Sequence, residues 1–283
     1  MTVTSATLLL GGELEVRRLG FGAMRITGAN ITGPPDNPGE AKRMLRRAVE
    51  LGINLIDTAD AYGPDISEEL IAEALHPYPD ELVIATKAGH RRNASADWLI
   101  DGRPEWIREA CEGSLRRLRL ERIDLYQLHR PDPRVPVEES LGAFKELQQE
   151  GKVHHVGVSN FSAELLERAR SLLDVASVQN QYNVTDRRSE DVLEACAATG
   201  IGFMPWFPLA TGDLAADGGP LAEIAREHGA TPSQVALAWL LGRSPVMLPI
   251  PGTSSVEHLE ENVEASRLEL SEDELGRIAA AAG

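Results

Sequence analysis

Cysteines, aromatic residues and long apolar runs are all scarce in this sequence of 283 residues. Its two cysteines, Cys111 and Cys196, lie far apart, each within a stretch of helical pattern. We interpret them as small buried hydrophobic residues rather than a disulfide or a metal pair, which fits a reducing, cytoplasmic location. No apolar run approaches the roughly 20 residues that span a bilayer. The apolar patch at residues 8–10 has no basic segment before it, so we expect neither a signal peptide nor a membrane anchor.

Positive charge is also in short supply. The sequence has 28 Lys plus Arg against 44 Asp plus Glu, which gives a formal net charge of -16. Such a chain is poorly suited to nonspecific binding of nucleic acid or anionic lipid, so we expect neither as a partner. Any anionic ligand must therefore be held by local geometry.

Metal-binding motifs are absent from the sequence as well. It contains neither His-Glu-x-x-His nor a paired-cysteine spacing. His154 and His155 are adjacent on a predicted strand, where successive side chains point to opposite faces. We therefore predict no metal site.

What the sequence does contain is a regular alternation of strand and helix patterns. Residues 7–18 look like a hairpin around Gly11-Gly12, and a tail helix begins at Glu272. Eight strand candidates, each followed by a helix pattern, lie at 19–22, 53–57, 82–87, 123–129, 153–158, 176–180, 201–206 and 246–250. No linker interrupts this α/β pattern. It predicts a single (β/α)8 TIM barrel domain over residues 1–283, with an N-terminal β-hairpin cap and extra C-terminal helices.

A doubly wound Rossmann sheet is the alternative fold. Its dinucleotide fingerprint needs three glycines at a turn that opens a helix. The segment Gly20-Phe21-Gly22-Ala23-Met24-Arg25 lacks the third glycine and opens a loop. The barrel is therefore favoured.

Ionisable residues stand at the ends of three consecutive predicted strands: Asp57, Lys87 and His129, with Tyr62 just beyond Asp57. Considered alone, Asp57 would be interpreted as a capping residue of the helix near Ser67. Tyr62 would be interpreted as a residue that packs within the loop. In a barrel, however, these strand ends face one another across one mouth. A nearby Lys87 would lower the pKa of Tyr62 by roughly 1 to 3, Asp57 would hold Lys87, and His129 would orient a carbonyl oxygen. Proton donation alone reduces nothing, so a hydride source is needed.

Six segments of the chain resemble, in order, the signature segments of the aldo-keto reductase superfamily. In that family the residues matching Asp57, Tyr62, Lys87 and His129 form the catalytic tetrad of a barrel that binds an extended nicotinamide cofactor. The resemblance covers essentially the whole chain. It is carried by Gly20-Phe21-Gly22-Ala23-Met24, Asp57-Thr58-Ala59-Asp60-Ala61-Tyr62-Gly63, Thr86-Lys87, Gln127-Leu128-His129, Gly157-Val158-Ser159-Asn160-Phe161 and Ile250-Pro251-Gly252-Thr253.

The same resemblance implies a set of cofactor-binding residues. Ser159, Asn160 and Gln179 would bond the nicotinamide carboxamide, and Trp206 would stack on its ring in place of the more common tyrosine. The adenosine end would lie over the last strand, at the N-terminus of the helix that follows; the residues there can also be read as simple helix caps. The other expected cofactor-binding residues are Gly22, Ala23, Met24, Asp57, Phe207, Pro208, Leu209, Ile250, Gly252, Thr253, Ser254, Ser255, His258, Glu261 and Asn262.

The sequence departs from the family pattern at two of these positions. Gly252 stands where a lysine is common, and His258 where an arginine is common. With fewer fixed positive charges, the site would distinguish less strongly between NADPH, which carries a 2′-phosphate, and NADH, which does not. The prediction is therefore NADPH, with NADH not excluded.

The resemblance implies an NADPH-dependent reductase of aldehydes and ketones with Tyr62 as proton donor, acting as a monomer or weak homo-oligomer. Loop 27–39 and the segment Pro251 to Ser255 are similar to a bacterial branch that includes pyridoxal reductases. The tail after Glu272 is short, so we expect an open site for small or polar carbonyl substrates, with pyridoxal as one candidate. The alternative is a cofactor-binding regulatory or sensor protein of the same fold with little turnover.

Overall fold

The computed structural model describes residues 7–93, 95–209, 216 and 218–281. Strands β1 (Thr7–Leu10) and β2 (Leu14–Arg17) form the expected antiparallel hairpin. Seven parallel strands follow it as one sheet, in which neighbours along the chain are neighbours in space. They are β3 (Phe21–Gly22), β4 (Leu55–Asp57), β5 (Val83–Ala88) and, after the antiparallel pair β6 (His90–Arg92) and β7 (Trp98–Ile100), β8 (Ile123–Leu128), β9 (Val153–Ser159), β10 (Val175–Gln179) and β11 (Gly202–Phe203).

Helices cover the outer face of this sheet. Several begin with the expected signals, such as Pro38 in the first turn of the first helix and a Thr231/Gln234 capping box later in the chain. The helices are α1 (Pro38–Glu50), α2 (Ile66–Leu75), α3 (Pro104–Leu118), α4 (Val137–Gln149), α5 (Ala163–Arg170), α6 (Glu190–Thr199), α7 (Pro220–His228), α8 (Pro232–Arg243), α9 (Val256–Ala265) and α10 (Glu272–Ala281). No helix among the described residues is both long and apolar enough to cross a membrane.

Residues 246–251 close the sheet into a barrel. On one side the Phe203 N–H donates to Val246 O at 2.9 Å and Leu248 N–H to Phe203 O at 2.8 Å. On the other side Gly20 N–H donates to Pro249 O at 2.9 Å. The predicted eighth strand thus takes its place without a regular ladder, because Pro249 and Pro251 have no N–H to donate. The predicted (β/α)8 barrel is confirmed.

Two layers of apolar packing hold the barrel together. One lies between the sheet and the helices, and the other fills the barrel interior. The hairpin contributes Leu10 and Val16 to the interior cluster, so it covers the N-terminal ends of the strands. The remaining members of that cluster are Leu55, Val83, Ala85, Leu125, Ala176, Met204, Leu248 and Ile250. We call the end covered by the hairpin the barrel floor.

The arrangement of the histidine pair on this floor differs from the sequence-based expectation. His154 and His155 were expected on opposite faces of their strand, yet their rings lie 4.2 Å apart between centroids. Both also lie beside the carboxylate of Glu13, in the turn of the hairpin. Strand alternation fixes the direction of the Cα–Cβ bond. At the start of β9, two long side chains can still turn toward one shared carboxylate.

Candidate active site

The four ionisable residues singled out by the sequence meet at the opposite end of the barrel. Asp57 is the last residue of β4, Lys87 the penultimate residue of β5, and His129 follows β8. Tyr62 lies in the loop after β4, where its N–H donates to Ala59 O at 3.1 Å. All four are buried. Asp57 does not cap the next helix, whose N-cap residue is Asp65.

Lys87 is the centre of the group and is fully buried. Its ammonium donates to Asp57 Oδ2 and to the backbone oxygen of Thr58, both at 2.7 Å, and to Tyr62 Oη at 3.4 Å. These three acceptors use all of its N–H bonds. Burial alone would lower the pKa of Lys87, but the charge of Asp57 and these hydrogen bonds raise it. The residue is therefore a fixed cation.

Asp57 is held on its other side by two amides. Its Oδ1 accepts from Gln179 Nε2 at 2.8 Å and from Gln127 Nε2 at 3.2 Å. Gln179, expected at the nicotinamide carboxamide, thus uses one of its amide N–H bonds on Asp57. Gln127 was not predicted as a site residue, although it lies in the segment that carries His129. Both amides hold the carboxylate in a position to pair with Lys87.

Tyr62 differs from the expectation in its acidity. Burial raises the pKa of Tyr62 above its ordinary value, and this outweighs the lowering caused by Lys87. The expected net decrease in pKa is therefore wrong. The reason is that the sequence shows the neighbouring cation but not the loss of solvent around the phenol. Because Tyr62 Oη accepts from Lys87, its own proton is free to be donated elsewhere.

His129 is neutral at physiological pH. Burial, followed by the positive charge of Lys87, holds the pKa of His129 well below its usual range. Its ring lies edge to face with that of Tyr62 at 5.8 Å, and its buried Nδ1 has no hydrogen-bond partner among residues 7–93, 95–209, 216 and 218–281. A neutral imidazole can donate one hydrogen bond and accept another.

Two cavities adjoin this group and meet at Trp206, Phe207, Met24, Tyr62 and Gln179. One, of about 300 Å³, extends toward the barrel seam, and its further lining includes the predicted residues Gly22, Asp57, Pro208, Leu209, Ile250 and Gly252. The other, of about 410 Å³, extends across the barrel mouth and reaches the predicted residues Ser159 and Asn160. Most of the residues expected to hold a cofactor therefore surround one continuous space.

The remaining predicted residues do not line these two cavities. Ala23 is fully buried, and Ser254 lines a third groove of about 550 Å³ beside loop 27–39, which meets the other two at Met24 and Phe207. Ser255 caps α9 by accepting from the His258 N–H at 3.4 Å, as the alternative interpretation expected. Thr253, Ser255, His258, Glu261 and Asn262 lie just before or within α9 and line none of these spaces.

The site offers two partnerless donors and one close backbone contact that bear on an extended cofactor. Trp206 Nε1 beside the cavities and Asn262 Nδ2 on α9 are buried and have no hydrogen-bond partner within the part of the chain that the structure describes. At the seam, a Cβ added to Gly252 would come within 2.7 Å of Gly22 O. A lysine at this position, which is common in the family, would therefore clash with β3, the first strand of the barrel.

The pair β6–β7, which lies over the barrel mouth, was not predicted from the sequence. Its Trp98 ring is 6.4 Å from the Tyr62 ring, and the His90 ring is 4.4 Å from that of His129. Both residues line the larger cavity together with Arg130. The described part of the C-terminal tail instead packs on α7, where Glu274 meets His228 at 2.6 Å. An eleven-residue hairpin inside a loop has no apolar periodicity strong enough to be recognised.

Comparison with known proteins identifies similar chains. Residues 18–282 match the model of the aldo/keto reductase family. A Schizosaccharomyces pombe protein described as an uncharacterized oxidoreductase is 45% identical over 267 residues, covering 94% of this chain and 87% of the relative. Pyridoxine 4-dehydrogenase of Escherichia coli (strain K12) is 42% identical over 283 residues, covering 98% of both chains. The crystal structure of an aldo-keto reductase from Klebsiella pneumoniae in complex with NADPH has a TM-score of 0.82 at 28% identity, with 99% and 95% of the two chains covered.

Proposed function

As the chain belongs to the aldo/keto reductase family, we propose that it reduces aldehydes or ketones to alcohols with NADPH as the reductant and Tyr62 as the proton donor. The observation that carries this proposal is the contact between Lys87 and Tyr62. A fully buried ammonium donates to the phenol oxygen and leaves the phenol proton free. Bound NADPH would supply a hydride to the carbonyl carbon, and the protein must supply the proton that the oxygen takes up.

Each of the four residues has a distinct role in this proposal. Tyr62 gives its proton to the carbonyl oxygen, and Lys87 stabilises the phenolate that remains. Asp57 keeps Lys87 in place through the bond at 2.7 Å. His129, neutral and next to Tyr62, donates a hydrogen bond that orients the carbonyl oxygen.

The cofactor proposal rests on the residues around Trp206. Trp206 lines both cavities, which suits stacking of its indole on a nicotinamide, and Ser159 and Asn160, at the end of β9, line the larger cavity. The N-terminus of α9 can donate backbone N–H groups to a phosphate, and Asn262 has a buried amide nitrogen that finds no partner among the described residues. The related Klebsiella pneumoniae protein is in complex with NADPH. Because Gly252 and His258 carry no fixed charge, we expect a modest preference for NADPH over NADH.

The substrate class proposed is small polar aldehydes, with pyridoxal as the first candidate. His90, Arg130 and Asn160 contribute polar groups to the otherwise largely apolar lining of the larger cavity. The Escherichia coli relative is a pyridoxine 4-dehydrogenase, which acts on the alcohol that corresponds to pyridoxal. The two supports are independent, since one comes from the cavity and the other from a relative.

The direct test is to mix the protein with NADPH and a panel of aldehydes that includes pyridoxal, and to follow the absorbance of NADPH. We expect oxidation that depends on the aldehyde, with pyridoxal among the faster substrates. Binding of NADPH without oxidation across the whole panel would contradict the proposal and favour the alternative of a sensor with little turnover. A far tighter affinity for NADH than for NADPH would overturn the cofactor assignment alone.

A further inference from the structure

The barrel floor carries a group of three metal-ligating side chains that the proposed reaction does not use. Glu13 lies in the turn between β1 and β2, and His154 and His155 are the second and third residues of β9. Ser159, at the other end of β9, lines the larger cavity. His155 and Ser159 are four positions apart along the strand, or roughly 13 Å. The group is therefore remote from the reacting end of the barrel.

The distances within this group match those around a small cation. Glu13 Oε2 lies 3.0 Å from His154 Nε2 and 3.2 Å from His155 Nε2. One ligand atom from each residue can be chosen so that all three lie within 4.8 Å of one another. In a tetrahedral zinc site with bonds of about 2.0 to 2.1 Å, ligand atoms are roughly 3.3 Å apart. Small side-chain rotations suffice to place three ligands around one ion.

Hydrogen bonding alone leaves this group incomplete. Glu13 Oε2 makes a hydrogen bond with His154. His155 Nε2 lies 3.2 Å from the same oxygen but is not oriented to donate a hydrogen bond to it, and neither this buried nitrogen nor the buried His154 Nδ1 has a hydrogen-bond partner among the described residues. His155 is only 9% exposed, so water does not readily replace the missing partner. Two imidazoles that lie beside one carboxylate oxygen, each with a ring nitrogen that makes no hydrogen bond to the described residues, form a ligand set of the kind that zinc prefers.

The hairpin is shaped to hold the second ring in place. A Cβ added to Gly11 would come within 2.2 Å of His155 Nδ1. The ring therefore occupies the space that any other residue at position 11 would fill. The backbone against which this ring packs belongs to the same turn as Glu13.

We propose that Glu13, His154 and His155 bind one zinc ion or a similar late first-row metal ion, with water completing the coordination. The ion clamps the N-terminal hairpin to the start of β9. Because its ligands lie 141 residues apart in sequence, it closes a long loop and stabilises the folded chain. Its role is structural, so it leaves the reaction at the other end of the barrel unchanged.

The test is a titration of tag-free, chelator-treated protein with Zn²⁺, followed by calorimetry and by thermal unfolding. We expect one site per chain and a rise in Tm of about 4 °C at a Zn²⁺ concentration a hundredfold above Kd. Co²⁺ bound in its place should show the visible absorption of a tetrahedral site. Mg²⁺, which prefers oxygen ligands and octahedral geometry, should give no shift.

Three variants make the test specific. Glu13→Gln, at a side chain that is 65% exposed, should fold normally and weaken Zn²⁺ binding at least tenfold, and His154→Gln should do the same. The matched control is His228→Gln, which removes a histidine from a two-residue pair with Glu274 and should bind Zn²⁺ like the wild type. Absence of binding to the wild type, or equal binding to Glu13→Gln, overturns the proposal. Neither readout depends on whether the protein reduces carbonyl compounds.

Discussion

The Lys87 ammonium lies 3.4 Å from the Tyr62 hydroxyl oxygen and 5.1 Å from the centre of its ring. Burial keeps the phenol protonated, since it raises the pKa of Tyr62, while the same ammonium stabilises the phenolate that forms once the proton has left. The pair is thus suited to deliver one proton at neutral pH. It is not suited to work as a base there.

Tyr62→Phe should lower kcat/KM for aldehyde reduction by about 10² to 10⁴, because only the proton donor is lost. Affinity for NADPH should stay within about twofold of the wild type, as measured by quenching of tryptophan fluorescence. The control is Tyr78→Phe, which removes a hydroxyl that donates to Leu118 O at 2.7 Å, away from the cavities. Turnover by Tyr62→Phe equal to that of Tyr78→Phe would refute the role of Tyr62.

Lys87→Met should abolish turnover and also destabilise the protein. It leaves the Asp57 carboxylate buried with two amides but without its cation, which costs about 3–5 kcal/mol. Urea unfolding measures this loss. The double variant Lys87→Met/Asp57→Asn should recover part of the stability but none of the turnover. If the single variant is as stable as the wild type, the buried ion pair is not what holds this site.

Gly252→Ala should destabilise the protein by about 1–3 kcal/mol, since its Cβ would press on Gly22 O across the barrel seam. The matched control is Gly142→Ala in α4, where an added Cβ meets nothing within 4 Å. That change should instead stabilise by about 0.4–1 kcal/mol. The midpoints of urea unfolding compare the two. Similar effects from both variants would mean that the seam tolerates a side chain.

His90→Gln should alter the dependence of stability on pH. Burial, followed by the positive charge of Arg130, lowers the pKa of His90 to about 4. In the unfolded chain His90 has its usual pKa of about 6.5. Between pH 6.5 and 4 it is therefore protonated in the unfolded chain and neutral in the folded one. Wild-type stability relative to the variant should therefore fall as pH drops from 6.5 to 4, by at most about 1.4 kcal/mol per pH unit. Parallel stability curves in this window would contradict the assignment.

Trp98→Ala should raise KM for aldehydes severalfold and leave the affinity for NADPH unchanged, because Trp98 covers the larger cavity next to Tyr62. Its neighbour Leu99 is also exposed and lines an adjoining groove, but it does not line the larger cavity. Leu99→Ala is the matched control and should behave like the wild type in steady-state kinetics. A shift in the NADPH affinity of Trp98→Ala would mean that this indole contacts the cofactor instead.

The sequence predicted the barrel and the meeting of Asp57, Tyr62, Lys87 and His129, because both follow from local patterns repeated along the chain. Strand ends in a parallel barrel share one rim, so residues found there are neighbours whatever their distance in sequence. The pair β6–β7 was missed for the opposite reason, since three-residue strands leave no period to detect.

Three further features were not predicted correctly from the sequence, because each depends on tertiary contacts. The acidity of Tyr62 depends on burial, which no motif records. The shared position of His154 and His155 depends on Glu13, from a hairpin far away in sequence. The support that Gln127 gives to Asp57 arises across the barrel, between strands that are not adjacent. Each required knowledge of what surrounds a residue and not only of what it is.

Because the hairpin β1–β2 seals one end of the barrel and the reacting groups line the other, selection can act on the two ends separately. Substitutions on the floor can stabilise the protein without disturbing the geometry around Tyr62. This added stability can offset the destabilisation caused by new side chains at the mouth. Directed evolution toward other aldehydes would therefore begin best from a variant strengthened at the floor. Libraries would then be confined to the rim residues His90, Trp98 and Arg130.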